Sequence, residues 1–485
     1  MSLLLSRIGF LRHHANARFA KALACLPPQS WPRTGAELWA AHKLGLHTLV
    51  ADAAWDGRHW QGGMAMAISM ATLGRADEAR NLVALLRRRQ ATGAYEAVLA
   101  EALAPFLPDL ALTLAGHSKA PWTLRCALLL RLGEHEEAGR QLRAARDAGH
   151  AGSEWHLLAA NAFGRSPSQL LDHLNASLGQ SSLSSLALRD ASQPPGTLNL
   201  ASAEQLAPVE GPRVSVLMTT HETQDRVGAA IESLLAQTWR NLEIVVVDDA
   251  STDGTVERVH ALAERDARVR CLRLPCNVGT YVAKTIGLAH ASGEFVTCQD
   301  SDDWAHPQKL ARQMRPLLDN PRLVATTSKW VRLSDDGRCH ARAVHPLTRL
   351  NPASPLFRRR EVERLTGLWD AVRTGADSEF LARLRLVFGP RAVQGVPLPL
   401  TFGAHRANSL MTASSTGYSL AGVSPSRQAY WEAWTRWHIT TLHAGRTPEM
   451  PSLRALQQGI QRPFAAPPEV TGTRQPLEDC LASMV

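Results

Sequence analysis

The chain has 485 residues, of which 45% are hydrophobic and 20% charged, and a mean hydropathy of −0.16 that excludes wholesale disorder. The 53 Lys and Arg residues against 44 Asp and Glu residues leave a formal charge of +9, a mild surplus that favours anionic small molecules or surfaces, with no nucleic-acid partner expected. The seven cysteines form no CxxC pair and no zinc spacing, which indicates reduced thiols.

Residues 1–180 are predicted to form an α-helical domain, because apolar residues recur at spacings of three and four. Two stretches, LGRADEARNLVALL and LGEHEEAGRQLRAA, are alike: a Leu-Gly pair ends one helix, and Ala79 or Ala138 packs the next. The pattern resembles tetratricopeptide repeats, although Gly74 and Gly133 are not separated by a multiple of the usual ~34 residues. A generic helical bundle is an equal alternative, and a protein partner of this domain is a further expectation.

The first segment of this domain contains both apolar and basic residues. Leu4 to Leu23 mixes apolar residues with Arg7, Arg12, Arg18 and Lys21, so this segment can lie on an anionic membrane. Packing as an ordinary first helix is the favoured alternative. Since no run of about 20 apolar residues exists to span a bilayer, and no secretory signal is evident, we expect a cytoplasmic protein, with peripheral contact at the inner face of the membrane as an addition.

The chain changes character after residue 180. Residues 181–211 are rich in Ser, Pro and Gly and are predicted to be a linker. Short Val/Ile/Leu runs then alternate with helical stretches, which predicts a predominantly parallel sheet in an α/β domain over 212–440, followed by a tail over 441–485. The predicted strands are Val214–Met218, Leu242–Val247, Val269–Leu274 and Glu294–Thr297, and the predicted helices are Gln224–Gln237, Thr255–Arg265 and Val278–Ala291.

Polar residues follow three of these strands, and ligands of parallel sheets bind beyond the carboxyl ends of the strands. The three groups are Thr219 to Glu222, Asp248 to Thr255, and Gln299 to Trp304. Carboxylates from two strand ends on one sheet edge repel each other. They are therefore expected where a cation or a donor-rich ligand lies between them.

Four segments carry a resemblance to a known family: VSVLMTTHE, QTWRNLEIVVVDDASTDGT, NVGTYVAKTIGLAHASGEFVTCQDSDDW and GADSEFLARL. In this order and at this spacing they resemble family 2 glycosyltransferases, over about residues 212–410. The resemblance implies an α/β GT-A domain behind an all-α N-terminal domain. It implies an inverting, metal-dependent transfer from a nucleotide sugar, UDP-linked, to a glycan or lipid-linked glycan acceptor in bacterial surface-polysaccharide or glycoconjugate synthesis.

The resemblance also implies roles for the residues at the strand ends. Asp300-Ser301-Asp302 matches the family's DxD motif, so Asp300 is expected at the nucleotide and Asp302 and Asp303 at Mg²⁺ or Mn²⁺; an acidic loop or helix cap is the alternative. Nucleotide-base and ribose contacts are implied for Asp249, Thr219 and Glu222, while turn and capping chemistry is the alternative for Asp248 to Asp253.

Asp377 lies where the family places the base that removes the acceptor proton. Many relatives read Glu-Asp here, whereas this chain reads Ala376-Asp377, which leaves Glu379 as a second candidate. Arg406 is expected to reach the diphosphate, and Lys284 the phosphates unless it is a surface lysine. His405 replaces a tyrosine of the family and is a candidate metal ligand, although a structural histidine is the more frequent case.

Two other classes of protein remain as alternatives. The first is a catalytically inactive GT-A and helical-repeat interaction protein. The second is a phosphoacceptor receiver domain, which needs a lysine at a later strand end, and none is evident. The sequence contains no GxGxxG, GxxxxGK[ST], HExxH or GxSxG motif.

Overall fold

The structure, a computed structural model, describes residues 2–28, 32–55, 57, 59–89, 93–406, 409, 411, 413 and 415–471. The contacts group the chain into two compact units. The first comprises Met1–Leu128, Ala407–Glu449 and Gln461–Val470, and the second Leu129–Arg406, Met450–Ile460 and Thr471–Val485. The predicted domain boundaries stay predictions, because a unit defined by contacts need not be a domain that folds alone.

Helices make up most of the first unit and surround the sheet of the second. The helices are α1 (Ser2–Ala15), α2 (Phe19–Ala24), α3 (Gly35–Lys43), α4 (His47–Ala51), α5 (Trp60–Thr72), α6 (Ala76–Arg89), α7 (Gly93–Leu103), α8 (Pro108–Gly116), α9 (Trp122–Arg131), α10 (His135–Asp147), α11 (Ser153–Phe163), α12 (Pro167–Gly179), α13 (Val227–Leu235), α14 (Thr255–Ala263), α15 (Thr280–Ala289), α16 (Lys309–Asp319), α17 (Arg359–Thr366), α18 (Ala376–Val387), α19 (Pro425–His443), α20 (Leu453–Gln457) and α21 (Pro468–Thr471).

The strands are β1 (Leu186–Leu188), β2 (Leu200–Ser202), β3 (Val214–Thr220), β4 (Leu242–Asp248), β5 (Val269–Arg273), β6 (Phe295–Cys298), β7 (Trp304–Ala305), β8 (Ala325–Leu333), β9 (Cys339–His340), β10 (Arg349–Leu350), β11 (Leu356–Arg358), β12 (Val393–Ala404), β13 (Tyr418–Ser419) and β14 (Gly422–Val423). None of the described helices is long and apolar enough to span a membrane.

The two similar N-terminal stretches form the helix-turn-helix pairs that the sequence predicts. Gly74 follows α5 at φ +81° and Gly133 follows α9 at φ +85°, the left-handed conformation in which glycine ends a helix at little cost. Ala79 on α6 and Ala138 on α10 are fully buried. The all-helical character of this region is confirmed, while the likeness to tetratricopeptide repeats stays a prediction.

The first unit also includes a long helix from the far end of the chain. Trp431 on α19 donates from Nε1 to the carbonyl of Leu44 at 2.8 Å, and a Cβ at Gly45 would meet that ring. Glu432 accepts from the backbone N–H of Thr48 at 2.6 Å. These contacts join α19 to the segment between α3 and α4.

A ten-stranded mixed sheet forms the centre of the second unit, in the order β5-β4-β3-β6-β11-β8-β12-β7, with β9 and β10 paired to β8. Strands β5, β4, β3 and β6 are parallel and are joined through α14, α13 and α15, which confirms the predicted α/β unit. Strand order reverses between β3 and β6, and such a switch point opens a crevice at the carboxyl ends of the strands.

The core of the second unit explains why these runs are strands. All seven residues of β4 are buried, as expected of a parallel strand covered by helices on both faces. Val216, Ile244 and Phe295 lie in one cluster with residues of α13, α14 and α16. The segment predicted as a linker is ordered: β1 pairs antiparallel with β2, and Asn199 donates to three carbonyls of the intervening loop.

Candidate functional site

The carboxyl ends of β3 and β4 lie side by side, because Thr220 pairs with Asp248 in the parallel register. Asp248 is fully buried. It accepts from Thr220 Oγ1 at 3.1 Å and from the backbone N–H of Ser251 at 3.0 Å. One of its oxygens therefore contacts the end of β3, and the other holds the turn after β4, in which Ala250 adopts φ +61°.

Asp249 connects this turn to the start of α15. Its Oδ1 accepts from the N–H of Val278 at 2.7 Å and its Oδ2 from the N–H of Gly279 at 2.8 Å. Burial raises the pKa of this carboxyl, and the two N–H groups oppose the shift. A carboxylate oxygen accepts more than one hydrogen bond, so the predicted contact with a nucleotide base stays open.

Glu222 and Thr219 lie at the same edge. Glu222 is exposed at φ +52° and accepts from the N–H and the hydroxyl of Thr252 at 2.8 and 2.9 Å. Thr219 shares a 2.6 Å hydrogen bond with Thr280 of α15. Capping and turn chemistry therefore accounts for several of these contacts. Asp253 is the clearest case, because it accepts from the N–H and the hydroxyl of Thr255 at the start of α14.

Lys284 is buried, with 1% of its surface exposed, so the alternative of a surface lysine is wrong. Its Nζ lies 3.7 Å from Oδ1 of Asp300 and 3.8 Å from Oδ1 of Asp377. Burial lowers the pKa of this amine, but the two carboxylates outweigh burial and raise the pKa well above its ordinary value. Lys284 is therefore charged and joins two acidic groups from distant parts of the chain.

Asp377 lies in the first turn of α18, after Gly375 at φ +89°. Its Oδ2 accepts from the hydroxyl of Tyr281 at 2.8 Å. Burial raises the pKa of Asp377; Lys284 and the Tyr281 hydroxyl oppose that shift, and Asp300 adds to it. A general base benefits from a pKa raised toward the working pH.

Glu379 occupies a different environment from Asp377. It pairs with Arg383 through two contacts of 2.8 Å, and both side chains are fully buried. Arg383 also donates to the carbonyls of Thr366, Gly367 and Leu368. Glu379 thus orients an arginine that satisfies the end of α17, which leaves Asp377 as the better placed base.

The three aspartates of the turn after β6 differ in exposure, with Asp300 the most exposed and Asp303 buried. The side chain of Asp300 is 42% exposed. Asp302 accepts through Oδ2 from Arg406 Nε at 2.9 Å and from its terminal nitrogen at 2.8 Å. Burial raises the pKa of Asp302, Arg406 lowers it and Asp300 raises it. The structure thus brings Arg406 to the DxD-like turn, and its predicted contact with the diphosphate stays a prediction.

Asp303 and His405 face the interior. Asp303 is 5% exposed and accepts from the N–H of Ala404 at 3.0 Å; burial and the neighbouring aspartates raise its pKa well above its usual range. The ring of His405 stacks on His340 at 3.6 Å between centroids. Burial lowers the pKa of His405, and Arg332 and Arg131 lower it further.

The donor set fits a divalent ion only in part. No three His, Cys, Asp or Glu side chains among the described residues converge as a metal cage. Mg²⁺, however, is commonly held by one or two carboxylates together with substrate phosphates and water. Asp302 fits that role, since only its Oδ2 contacts Arg406. Asp303 instead accepts a hydrogen bond from Ala404, and His405 stacks on His340, so both side chains have other contacts. Their metal roles stay predictions.

Helix α15 joins half of the predicted site residues. The backbone at its start donates to Asp249, Thr280 in its first turn is hydrogen bonded to Thr219, and its second turn carries Lys284 between Asp300 and Asp377. The sequence analysis missed Tyr281. The available signal was its spacing, because a residue three positions before Lys284 faces the same side of a helix.

The comparisons with known proteins concern the part of the chain that carries these residues. Residues 215–375 match the model of glycosyl transferase family 2. An uncharacterized glycosyltransferase of Haemophilus influenzae is 34% identical over 109 residues, which cover 22% of this chain and 44% of that protein. Putative glycosyltransferase EpsE of Bacillus subtilis is 33% identical over 105 residues, covering 21% and 38%.

A further relative has a more specific name. UDP-Glc:alpha-D-GlcNAc-diphosphoundecaprenol beta-1,3-glucosyltransferase WfaP of Escherichia coli is 32% identical over 101 residues, covering 21% of this chain and 39% of WfaP. Among solved structures, S. aureus TarS 1-349 in complex with UDP-GlcNAc matches at 18% identity and a TM-score of 0.36, covering 48% of this chain and 66% of that one.

The chain spans less than half the length of these curated relatives. Residues 215–375 are therefore similar to members of glycosyltransferase family 2.

Proposed function

We propose that the family 2 domain is an inverting, metal-dependent glycosyltransferase that uses a UDP-linked sugar. One observation carries the proposal: Asp300, in the turn after β6, and Asp377, in the first turn of α18, face the same buried ammonium group of Lys284. The carboxylate proposed as the base thus lies beside the turn proposed to bind the donor diphosphate.

The reaction follows from this arrangement. Oδ2 of Asp377 accepts from Tyr281, so Oδ1 is the oxygen that takes the proton of the acceptor hydroxyl. The hydroxyl oxygen bonds to the anomeric carbon from the face opposite the nucleoside diphosphate. At the same time the bond between that carbon and the diphosphate oxygen breaks, and its electron pair leaves with the diphosphate. Attack from the opposite face inverts the anomeric centre.

The leaving diphosphate needs positive charge nearby. Arg406 is a planar guanidinium suited to phosphate oxygens, and Lys284 contributes a fixed charge close to Asp300. A divalent ion held at Asp302 supplies Lewis-acid stabilisation of the diphosphate when bound. Asp249, Thr219 and Glu222 are proposed to contact the uridine.

The acceptor is proposed to be a glycan or a lipid-linked glycan, in bacterial surface-polysaccharide or glycoconjugate synthesis. The name of WfaP, which specifies a diphosphoundecaprenol-linked acceptor, supports that class. A cytoplasmic location, with contact at the inner face of the membrane through α1, is part of the same proposal. The helical region is proposed as a surface for a protein partner.

The test is sugar turnover from UDP-sugars with Mn²⁺ by the wild type and by two variants. Asp377→Asn keeps the shape of the site but cannot accept a proton, so we expect UDP binding to persist and turnover to fall by ~10²–10⁴-fold, the contribution of a general base. Asp302→Ala should lose metal-dependent UDP binding. Asp319→Asn, an exposed aspartate on α16, is the matched control.

Two outcomes contradict the proposal. Full turnover by both variants would show that the site residues are wrongly assigned. Failure of the wild type to bind UDP or to transfer any sugar favours the alternative of a catalytically inactive interaction protein.

A further inference from the structure

Tyr281 is a buried tyrosine whose hydroxyl group points at the proposed base. Its side chain is 5% exposed, and its hydroxyl donates to Oδ2 of Asp377 at 2.8 Å across 96 positions of sequence. The Nζ of Lys284 lies 5.1 Å from the centre of its ring. Tyr281 thus contacts both the carboxylate and the cation of the site.

The backbone beneath Tyr281 is fixed. The preceding residues, Val278 and Gly279, donate their N–H groups to Asp249, and Thr280 is hydrogen bonded to Thr219. Gly279 has φ +90° and approaches Arg373 so closely that a Cβ would lie 2.8 Å from its Cγ. The start of α15 is therefore hydrogen bonded both to the end of β3, through Thr219, and to the residue that follows β4, Asp249.

An aspartate used as a base must present one defined oxygen. Rotation about its terminal torsion interconverts Oδ1 and Oδ2 at low cost, because such torsions are broad. Oδ1 of Asp377 lies 3.8 Å from Lys284, a distance that attracts without fixing an angle. The 2.8 Å hydrogen bond from Tyr281 to Oδ2 supplies the missing constraint.

We propose that Tyr281 is a positioning residue for the base of the proposed transfer: its hydroxyl holds Oδ2 of Asp377 and leaves Oδ1 toward the acceptor. This inference rests on the proposed function and deepens it, since Tyr281 acts on the transfer through Asp377. A misplaced catalytic group loses rate steeply.

The same hydrogen bond favours the ionised carboxylate. Burial raises the pKa of Asp377, and the bond from Tyr281 lowers it. Without the hydroxyl the pKa of Asp377 is higher. The fraction of enzyme with an ionised base then falls at a higher pH than in the wild type.

The experiment compares Tyr281→Phe with the wild type in kcat, in KM for the UDP-sugar and in the pH profile of kcat/KM, with the full chain and Mn²⁺. We expect kcat to fall about ten-fold or more, below the 10²–10⁴-fold contribution of the base itself. KM for the donor should stay within about two-fold, and the acidic limb of the profile should move to higher pH.

Tyr430→Phe is the matched control, because Tyr430 is a buried tyrosine on α19, outside the site. Melting temperatures of both variants identify losses that come from folding. A merely structural Tyr281 lowers the melting temperature or raises KM and leaves the acidic limb in place, and that result overturns the inference.

A second measurement does not need turnover. In protein labelled with ¹³C at the aspartate carboxyl groups, the signal of Asp377 is the one missing from Asp377→Asn. Its titration should move to higher pH in Tyr281→Phe, and an unchanged titration overturns the inference. Absence of transfer by the wild type instead overturns the proposed function, and with it the catalytic role of Tyr281, so the two failures are distinguishable.

Discussion

Lys284 is the residue on which the charge balance of the site depends. It is the cation that two carboxylates share, and Asp377 is only 19% exposed. In Lys284→Met these carboxylates keep their negative charge at pH 8 but lose the lysine cation that they share. We expect the free energy of unfolding to fall by ~2–3 kcal/mol at pH 8, less than the ~3–5 kcal/mol for a fully buried pair, because Asp300 is 42% exposed.

The loss should depend on pH with a definite sign. Lys284 lowers the pKa of Asp377, so its removal raises that pKa further above the unfolded value. Between the unfolded and the folded pKa of Asp377, the folded variant then binds more protons than the unfolded chain. Its free energy of unfolding therefore falls as pH rises through that range. Denaturant unfolding at pH 5 and pH 8 measures the effect.

A double variant separates charge from packing. Lys284→Met with Asp377→Asn removes a carboxylate together with its cation, so part of the lost stability should return at pH 8. If the double variant is no more stable than the single one, the loss comes from packing of the lysine stem, and the shared ion pair has little energetic weight.

The sequence revealed these residues unequally, for reasons of distance. Motif spacing indicated Asp300, Asp302 and Asp377, because each follows a strand or begins a helix. It could not reveal that Tyr281 bonds Asp377, since 96 positions separate them and no local period connects them. The stacking of His405 on His340 could not be predicted from the sequence for the same reason.

At the scale of elements, the strands of the predicted α/β unit were predictable, whereas the very short strands and the strand that contains proline were not. β3, β4 and β6 are continuous apolar runs because helices cover both faces. β11 has three residues and pairs antiparallel to both β6 and β8, so it is too short to show a period. β12 contains Pro397 and Pro399 and pairs with β8 through register shifts, and proline within a run argues against a strand.

Helix α1 leaves several large apolar side chains exposed. Leu5, Ile8 and Leu11 are 62%, 54% and 53% exposed, and no acidic residue occurs between Ser2 and Ala24. Arg7 is paired with the buried Glu37, which leaves exposed Arg12 and Arg18 to face lipid headgroups. We expect the full chain to pellet with vesicles containing anionic lipid, and less so at high salt.

Substitutions on α1, and at Arg18 just after it, test that expectation. Replacing Leu5, Ile8 and Leu11 by Gln should strongly reduce pelleting, and Arg12→Gln with Arg18→Gln should remove about 1 kcal/mol each of attraction to an anionic surface. The matched control replaces exposed leucines elsewhere, Leu318, Leu350 and Leu420, by Gln. Equal pelleting of all proteins would show that α1 is an ordinary first helix.

At the scale of the whole molecule, the mild positive charge and the acidic site have separate roles. The surplus of +9 is spread over the chain and favours anionic partners in general. Within the site, carboxylates cluster around Lys284 and Arg406, so binding of a diphosphate there requires added positive charge. This local excess of acid, rather than the net charge, favours a metal-dependent nucleotide ligand.

Binding of the donor nucleotide should therefore stabilise the chain only when a divalent ion is present. At about 100 times its dissociation constant, a ligand of the folded state adds ~2.7 kcal/mol to the free energy of unfolding, which raises the melting temperature by several degrees. We expect UDP with Mn²⁺ to do so, and UDP with a chelator to have much less effect.

Asp302→Ala should lose the difference between these two conditions, whereas Asp319→Asn keeps it. Equal shifts by UDP, GDP and inorganic diphosphate would show that the site binds phosphate without selecting the base, and would contradict the role proposed for Asp249.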